Sequence, residues 1–229
     1  MNNENKVNID PSWKGVIKFG GFSLFGAAVI LVVFVASVFA TKQTLPLPAK
    51  EVLENPVAPT ILFLIAVVGE LLLMPGVLGL YFTLKNVKKT AMFIATAIWL
   101  IAPIMFLVSR GLILSLSQIS DSYIEATSET VKAALLASAE HAIEIQNIYA
   151  IMALVCLNVA SIIIGFVMLK GNFGKYIGYL AIAAGIFTLF TPFGVIMQVP
   201  IVIPFIGLIL TAVWQLAAGI KMYRLDKIV

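Results

Sequence analysis

Reactive and ligating side chains are scarce in this chain of 229 residues. There is one cysteine, Cys156, so no internal disulfide and no thiolate cluster can form. There is one histidine, His141, which excludes bis-histidine haem ligation and three-histidine zinc sites. Charged residues make up 11%, against roughly 25% in soluble proteins. A soluble globule of this size would lack the polar side chains to cover its surface. No Gly-rich phosphate loop occurs, and Ser109, which precedes Arg110-Gly111, lacks the Gly-x-Ser-x-Gly elbow of a serine hydrolase. No lysine lies inside an apolar run, so a retinal Schiff base has no anchor. These absences exclude a soluble enzyme, a nucleic-acid-binding domain, a disulfide scaffold and a disordered chain. They leave no haem, flavin, iron–sulfur or other cofactor to expect.

What the chain does have is apolar sequence in long runs. Apolar residues make up 61%, and the mean hydropathy is +1.07. Runs of about 20 apolar residues recur, each long enough to cross ~30 Å of hydrocarbon as a helix. The expected fold is an all-α integral membrane protein, one membrane domain over 1–229, with a bundle of six transmembrane helices. The spans are placed at 17–40, 58–84, 91–117, 139–169, 176–193 and 203–221. Lys42 ends the first, and Pro46 and Pro48 are expected to keep the following loop non-helical. Lys85, Lys88 and Lys89 separate the second from the third, and Lys170, Gly171 and Gly174 make the next turn. Pro192, Gly194, Pro200 and Pro204 are expected to break the fifth span from the sixth through an apolar connection (Val195, Ile196, Met197, Val199, Ile201) at the membrane surface. The run from Phe19 to Ala40 exceeds the 7–15-residue core of a signal peptide, so the first span is expected to be retained.

Basic residues set the orientation. Eleven flank one side of the spans: Lys6, Lys14, Lys18, Lys85, Lys88, Lys89, Lys170, Lys175, Lys221, Arg224 and Lys227. Three flank the other: Lys42, Lys50 and Lys132. Both termini are therefore expected in the cytoplasm, with the protein multi-pass in the plasma membrane. Trp13, Tyr81, Tyr176, Tyr179 and Tyr223 cluster near the basic boundary as an aromatic belt would. Within the outer segment 118–138, Ser122-Tyr123-Ile124-Glu125 has the form of a capping box. With Ile124, Val131, Leu135 and Ala139 at helical spacing, it predicts a short external amphipathic helix running into the fourth span.

The chemistry-bearing residues are few. Glu140-His141-x-x-Glu144 places carboxylates and an imidazole on neighbouring helix positions. The fourth span is long enough for these to be a wetted helix end rather than a metal site, and no metal is assigned. Glu70 and Arg110 are different, because each lies within a span and costs ~2.5–3.5 kcal/mol there if unpaired. Glu70 is about 22 Å above Lys85 and Arg110 about 31 Å above Lys89, at 1.5 Å per residue. Side chains lean toward the N-terminus of their own helix. Glu70 descends and leans outward, while Arg110 ascends and leans inward, so the two lean toward each other. At an effective dielectric of ~20 their attraction at 4 Å is about 4 kcal/mol, comparable with the cost of inserting one of them. Asn147, about 34 Å up, is nearly level with Arg110 and is expected to complete the network, while Glu144, about 39 Å up, fits less well. Such a pair either pegs helix order or forms a solute or ion site; the remaining alternative is an unpaired, protonated Glu70 with Arg110 snorkelling outward. Asn158 and Gln215 are expected to bond across helices, and Trp99 and Trp214 to pack.

Small residues mark close helix approaches: Ser161-x-x-x-Gly165 and Gly207-x-x-x-Thr211. A weak internal echo links Gly79-Leu80-Tyr81-Phe82-Thr83-Leu84-Lys85 with Gly165-Phe166-Val167-Met168-Leu169-Lys170.

Three further segments carry a family likeness: Leu80-Tyr81-Phe82-x-Leu84-Lys85, the step Ser115-Leu116-Ser117, and Trp214-Gln215-Leu216-Ala217-Ala218-Gly219-Ile220-Lys221. Over residues 17–222 the chain resembles a family of six-span bacterial and archaeal membrane proteins known as domain of unknown function four-three-eight-six. The resemblance implies a six-span fold and no activity. That family often carries an arginine and an acidic residue together in the third span, whereas Arg110 has no acidic neighbour there.

The expected function is non-catalytic: binding or moving a small solute or ion through an externally facing polar cavity, or serving as a membrane subunit. The candidate network is Glu70, Arg110, Asn147, Glu144, His141 and Glu140. The expected partners are membrane lipid and a small solute, with no nucleic acid. The alternative is a membrane enzyme acting on lipid at the outer surface through Glu140, His141 and Glu144.

Overall fold

In the computed structural model, residues 11–40, 48–197 and 202–225 are described. The regular structure among them is helical throughout. A single 3-10 turn at Pro11–Trp13 leads into α1 (Lys14–Ala40), followed by α2 (Ala49–Glu54), α3 (Val57–Leu84), α4 (Lys89–Glu125), α5 (Glu129–Met168), α6 (Lys175–Met197) and α7 (Val202–Leu225). Five segments are long and apolar enough to cross a membrane: Pro11–Val38, Val57–Leu84, Lys89–Glu125, Glu129–Met168 and Phe205–Leu225. In α6 the stretch Lys175–Thr191 is apolar but shorter.

Each long helix packs on the next in sequence, and α7 returns to α1, so the six long helices close a ring. Short turns join them at one end. There Gly174 adopts φ 88°, a left-handed conformation open to glycine without steric cost, between α5 and α6. The two glycines of the internal echo both lie at helix crossings. A Cβ on Gly79 would stand 2.9 Å from Gly20 Cα of α1, and one on Gly165 2.9 Å from the Gly178 carbonyl of α6. Backbones approach that closely only where side chains are absent. Gly207 likewise abuts Thr188, whose hydroxyl lies 3.4 Å from that of Thr211. The axis is filled by Trp99 and Trp214, fully buried, with ring centroids 5.6 Å apart.

Helices α4 and α5 have 37 and 40 residues, against 27 and 28 in α1 and α3. At 1.5 Å per residue they overhang their neighbours by roughly 15 Å. The overhang carries a second, separate apolar cluster: Ala49, Val52 and Leu53 of α2, Phe63 of α3, Ile113 and Leu116 of α4, Ala139 and Ile143 of α5. Ser120 Oγ donates to the Leu53 carbonyl and ties α2 onto α4. This cap was not foreseen from the sequence, which treated residues 49–54 as loop.

Three expectations need correction. Ser122–Glu125 ends α4 and does not start a helix; the next helix begins at Glu129, with Ser128 at its N-cap and no side-chain capping bond. The apolar stripe of α4 continues through Ile113, Leu116, Ile119 and Tyr123 into the cap cluster, and that burial extends the helix past the capping signal. The predicted stripe is also divided: Ile124 ends up on α4 and, like Val131, is exposed, while Ala139 is buried in the cap cluster with Leu136 and Ile143. Finally, α6 runs through Pro192 and Gly194 to Met197, taking in Val195 and Ile196. A proline is tolerated in apolar helices because local adjustments satisfy the backbone group it frees. Val199, Pro200 and Ile201, like Lys42 and Pro46, lie outside the described residues.

Candidate functional site

The short turn after Leu84 makes α3 and α4 an antiparallel hairpin, which places Glu70 and Arg110 on facing helices with an axial offset of roughly 9 Å. Their opposed lean and the reach of arginine close that offset. Arg110 Nη2 lies 3.0 Å from Glu70 Oε1, and Arg110 Nε donates to the same oxygen at 3.1 Å. The side chains are only 12% and 9% exposed. The pairing is lopsided. Both donors converge on Oε1, while Glu70 Oε2 is buried with no hydrogen-bond partner. A fork-to-fork arrangement would have engaged both carboxylate oxygens.

Two rings frame the guanidinium. Arg110 Cζ is 4.9 Å from the Phe63 centroid and 5.6 Å from that of Phe106. At such distances a cation is attracted by the ring quadrupole, by about 0.5–2 kcal/mol depending on desolvation. Phe106 belongs to the main core and Phe63 to the cap cluster. The ion pair therefore sits at the boundary between the two apolar cores. About 100° further around α4, the preceding residue Ser109 is fully buried and accepts a 3.0 Å hydrogen bond from Gln146 Nε2 of α5. Glu70, Arg110, Ser109 and Gln146 form one polar layer across α3, α4 and α5.

The remaining predicted residues are elsewhere. Asn147 is half-buried, and its neighbour Gln146, not Asn147, reaches α4. The two differ by 100° around the helix, and a one-residue error in the inward face selects the wrong amide. Glu140, His141 and Glu144 are exposed on the outer part of α5. His141 Nδ1 is 4.0 Å from Glu144 Oε2, with side chains 73% and 77% exposed. Among the described residues, no three His, Cys, Asp or Glu come together in a way that could hold a metal ion. Asn158 Nδ2 and Gln215 Oε1 are buried without partners, so those atoms do not make the expected cross-helix bonds.

The sequence reading also missed Phe63, Phe106, Ser109 and Gln146. The only signal for Phe106 was its place four residues before Arg110, one turn away on the same face. Phe63 carried none, because its nearness depends on how the helices pack, and Gln146 carried only the signal it shares with its neighbour Asn147, an amide within an apolar run. A scan of protein-family models, a search of curated proteins and a search of solved structures each return no match to this chain.

Proposed function

We propose that this is a six-span protein of the plasma membrane, of the kind its resemblance implies, with both termini cytoplasmic and no catalytic role. In this reading it binds or moves a small polar solute at the Glu70–Arg110 layer beneath the cap. Charge supports the orientation. Seven acidic residues sit at the cap end (Glu51, Glu54, Asp121, Glu125, Glu129, Glu140, Glu144), and nine of the described lysines and arginines flank the opposite end. Basic residues are retained on the cytoplasmic side. The excess length of α4 and α5 over a ~30 Å hydrocarbon layer supports an aqueous position for the cap.

The observation that carries the solute reading is the orphaned Glu70 Oε2. Leaving a buried acceptor unpaired costs about 1–3 kcal/mol, more when charged. A purely structural peg has no reason to retain that cost. A guanidinium with spare N–H groups beside a carboxylate with a spare oxygen suits a small solute that both donates and accepts, such as a zwitterion or a primary amide.

Thermal melting of the purified protein in detergent, screened against small amino acids, amides and simple salts, tests this. At least one class should raise the midpoint of the wild type and leave a folded Glu70→Leu/Arg110→Met double mutant unmoved. Equal shifts in both proteins would refute the site. For topology, an engineered cysteine at the exposed Ser128 should react with an impermeant reagent in intact cells and one at the exposed Asn86 should not.

A further inference from the structure

The seam that closes the ring, between α1 and α7, holds a groove that the reading above does not use. Gly21 and Gly219 meet there backbone to backbone: a Cβ on Gly219 would lie 2.6 Å from the Gly21 carbonyl oxygen. Beside this crossing runs an outward-facing trough walled by Phe22, Phe25 and Ile220, with Tyr223 and Arg224 at one end. Lys18, one turn from Phe22, places its Nζ 5.5 Å from the Tyr223 ring centroid. Lys18 and Arg224 are exposed, and the walls Phe22, Phe25 and Ile220 are exposed as well. The trough is therefore apolar along its length and cationic at one end only. The next two residues in sequence, Asp226 and Lys227, add no net charge.

We propose that this trough is a binding site for one phospholipid with an anionic headgroup. The acyl chain lies along Phe22, Phe25 and Ile220, and the phosphate sits between Lys18 and Arg224. The proposal rests on the membrane placement above and is independent of the solute site. Charge selects this occupant over a second copy of the chain. A twofold partner seated on the same face would bring Lys18 and Arg224 against their own equivalents, whereas an anionic headgroup complements them. The close Gly21–Gly219 approach keeps bulky side chains out of the trough floor, so a lipid tail finds van der Waals contact there.

Native mass spectrometry of the full-length protein in detergent tests the proposal, with phosphatidylglycerol and phosphatidylcholine of identical chains as probes. One phosphatidylglycerol should be retained in preference to phosphatidylcholine, and excess inorganic phosphate should not displace it. Lys18→Gln and Arg224→Gln should each reduce that preference by about fivefold, the factor one basic side chain carries near a membrane surface. The double variant Lys88→Gln/Lys170→Gln removes exposed charge at the same end but away from the seam, and it should leave the preference intact. Equal retention of the two lipids overturns the proposal, and so does equal loss in the control variant. Displacement by phosphate would show a free-anion site instead. Self-crosslinking of a Phe22→Cys variant through residue 22 in native vesicles would place a second copy in the trough and also overturn it. Lipid preference is read in detergent, so a reversed labelling pattern at Ser128 and Asn86 would fault the membrane placement separately.

Discussion

Below the Glu70–Arg110 pair and above it, the protein coheres by different means. Below, the helices cross on glycines, and the axis is filled by the largest side chains, Trp99 and Trp214. Phe22, Phe93, Phe166 and Ile209 point outward there and are exposed. Above, α2 and the overhang of α4 and α5 bury a small set of Ala, Val, Leu and Ile and turn Glu, Asp and Lys to the surface. In the membrane placement proposed above, the difference follows from two solvents. Lipid tails are as apolar as leucine, so hydrophobicity cannot choose which helix face goes inward, and size and shape decide instead. In water the apolar face must be covered, and hydrophobicity decides. The ion pair sits where one regime gives way to the other.

Charge at the boundary gives the largest expected effect. Arg110→Met strands the Glu70 carboxylate in an apolar setting, and removing one partner of a buried pair costs about 3–5 kcal/mol. Adding Glu70→Leu should recover most of that loss, because the stranded charge goes with it. Melting of the single and double variants in detergent checks this, and strict additivity would mean that the two groups do not share a layer. Truncation inside the cap comes next. Leu53 is fully buried, and Leu→Ala in a packed core costs about 2–5 kcal/mol. If the cap is a separate unit, amide exchange should accelerate in α2 and in the outer parts of α4 and α5 while the glycine-crossed bundle stays protected.

Gly79→Ala tests the lower regime. Its new methyl would meet Gly20 backbone and the Met222 side chain, and overpacking of this kind costs about 1–3 kcal/mol. The same substitution at Gly111, which has open space where a Cβ would go, should cost nothing or stabilise. The smallest effect belongs to the cap surface. Lys50 Nζ and Glu54 Oε1 are 3.7 Å apart but more than half exposed, so Lys50→Gln should move the melting midpoint by less than the equivalent of about 0.5 kcal/mol.

The two regimes also explain what could be read in advance. Glu70 and Arg110 stood out because a charge within an apolar run needs a partner, and lean and depth along two adjacent helices identified one. Gln146 did not stand out over Asn147, since choosing between adjacent amides requires the rotation of α5 about its axis. That rotation is set by packing against α4, where Ser109 is the residue met. The capping box at Ser122 misled because a local signal worth about 1 kcal/mol competes with burial of Ile119 and Tyr123 against the cap. The α2 helix was hidden by Pro46 and Pro48, which read as loop although Pro48 is the N-cap of a helix of six residues.

The sequence by itself determined that the chain is helical and where most of its long apolar helices run. Run length is a one-dimensional property, and an apolar segment without water to bond its backbone must satisfy its own N–H and C=O groups as helix. It also determined that two in-span charges would need each other. Only the tertiary structure decided the closed ring, the inward faces, the capped overhang and the polar layer of Glu70, Arg110, Ser109 and Gln146. Those depend on helix rotation and close approach, which in helices apolar on every side are selected by glycine and tryptophan shape and leave no periodic trace in hydrophobicity.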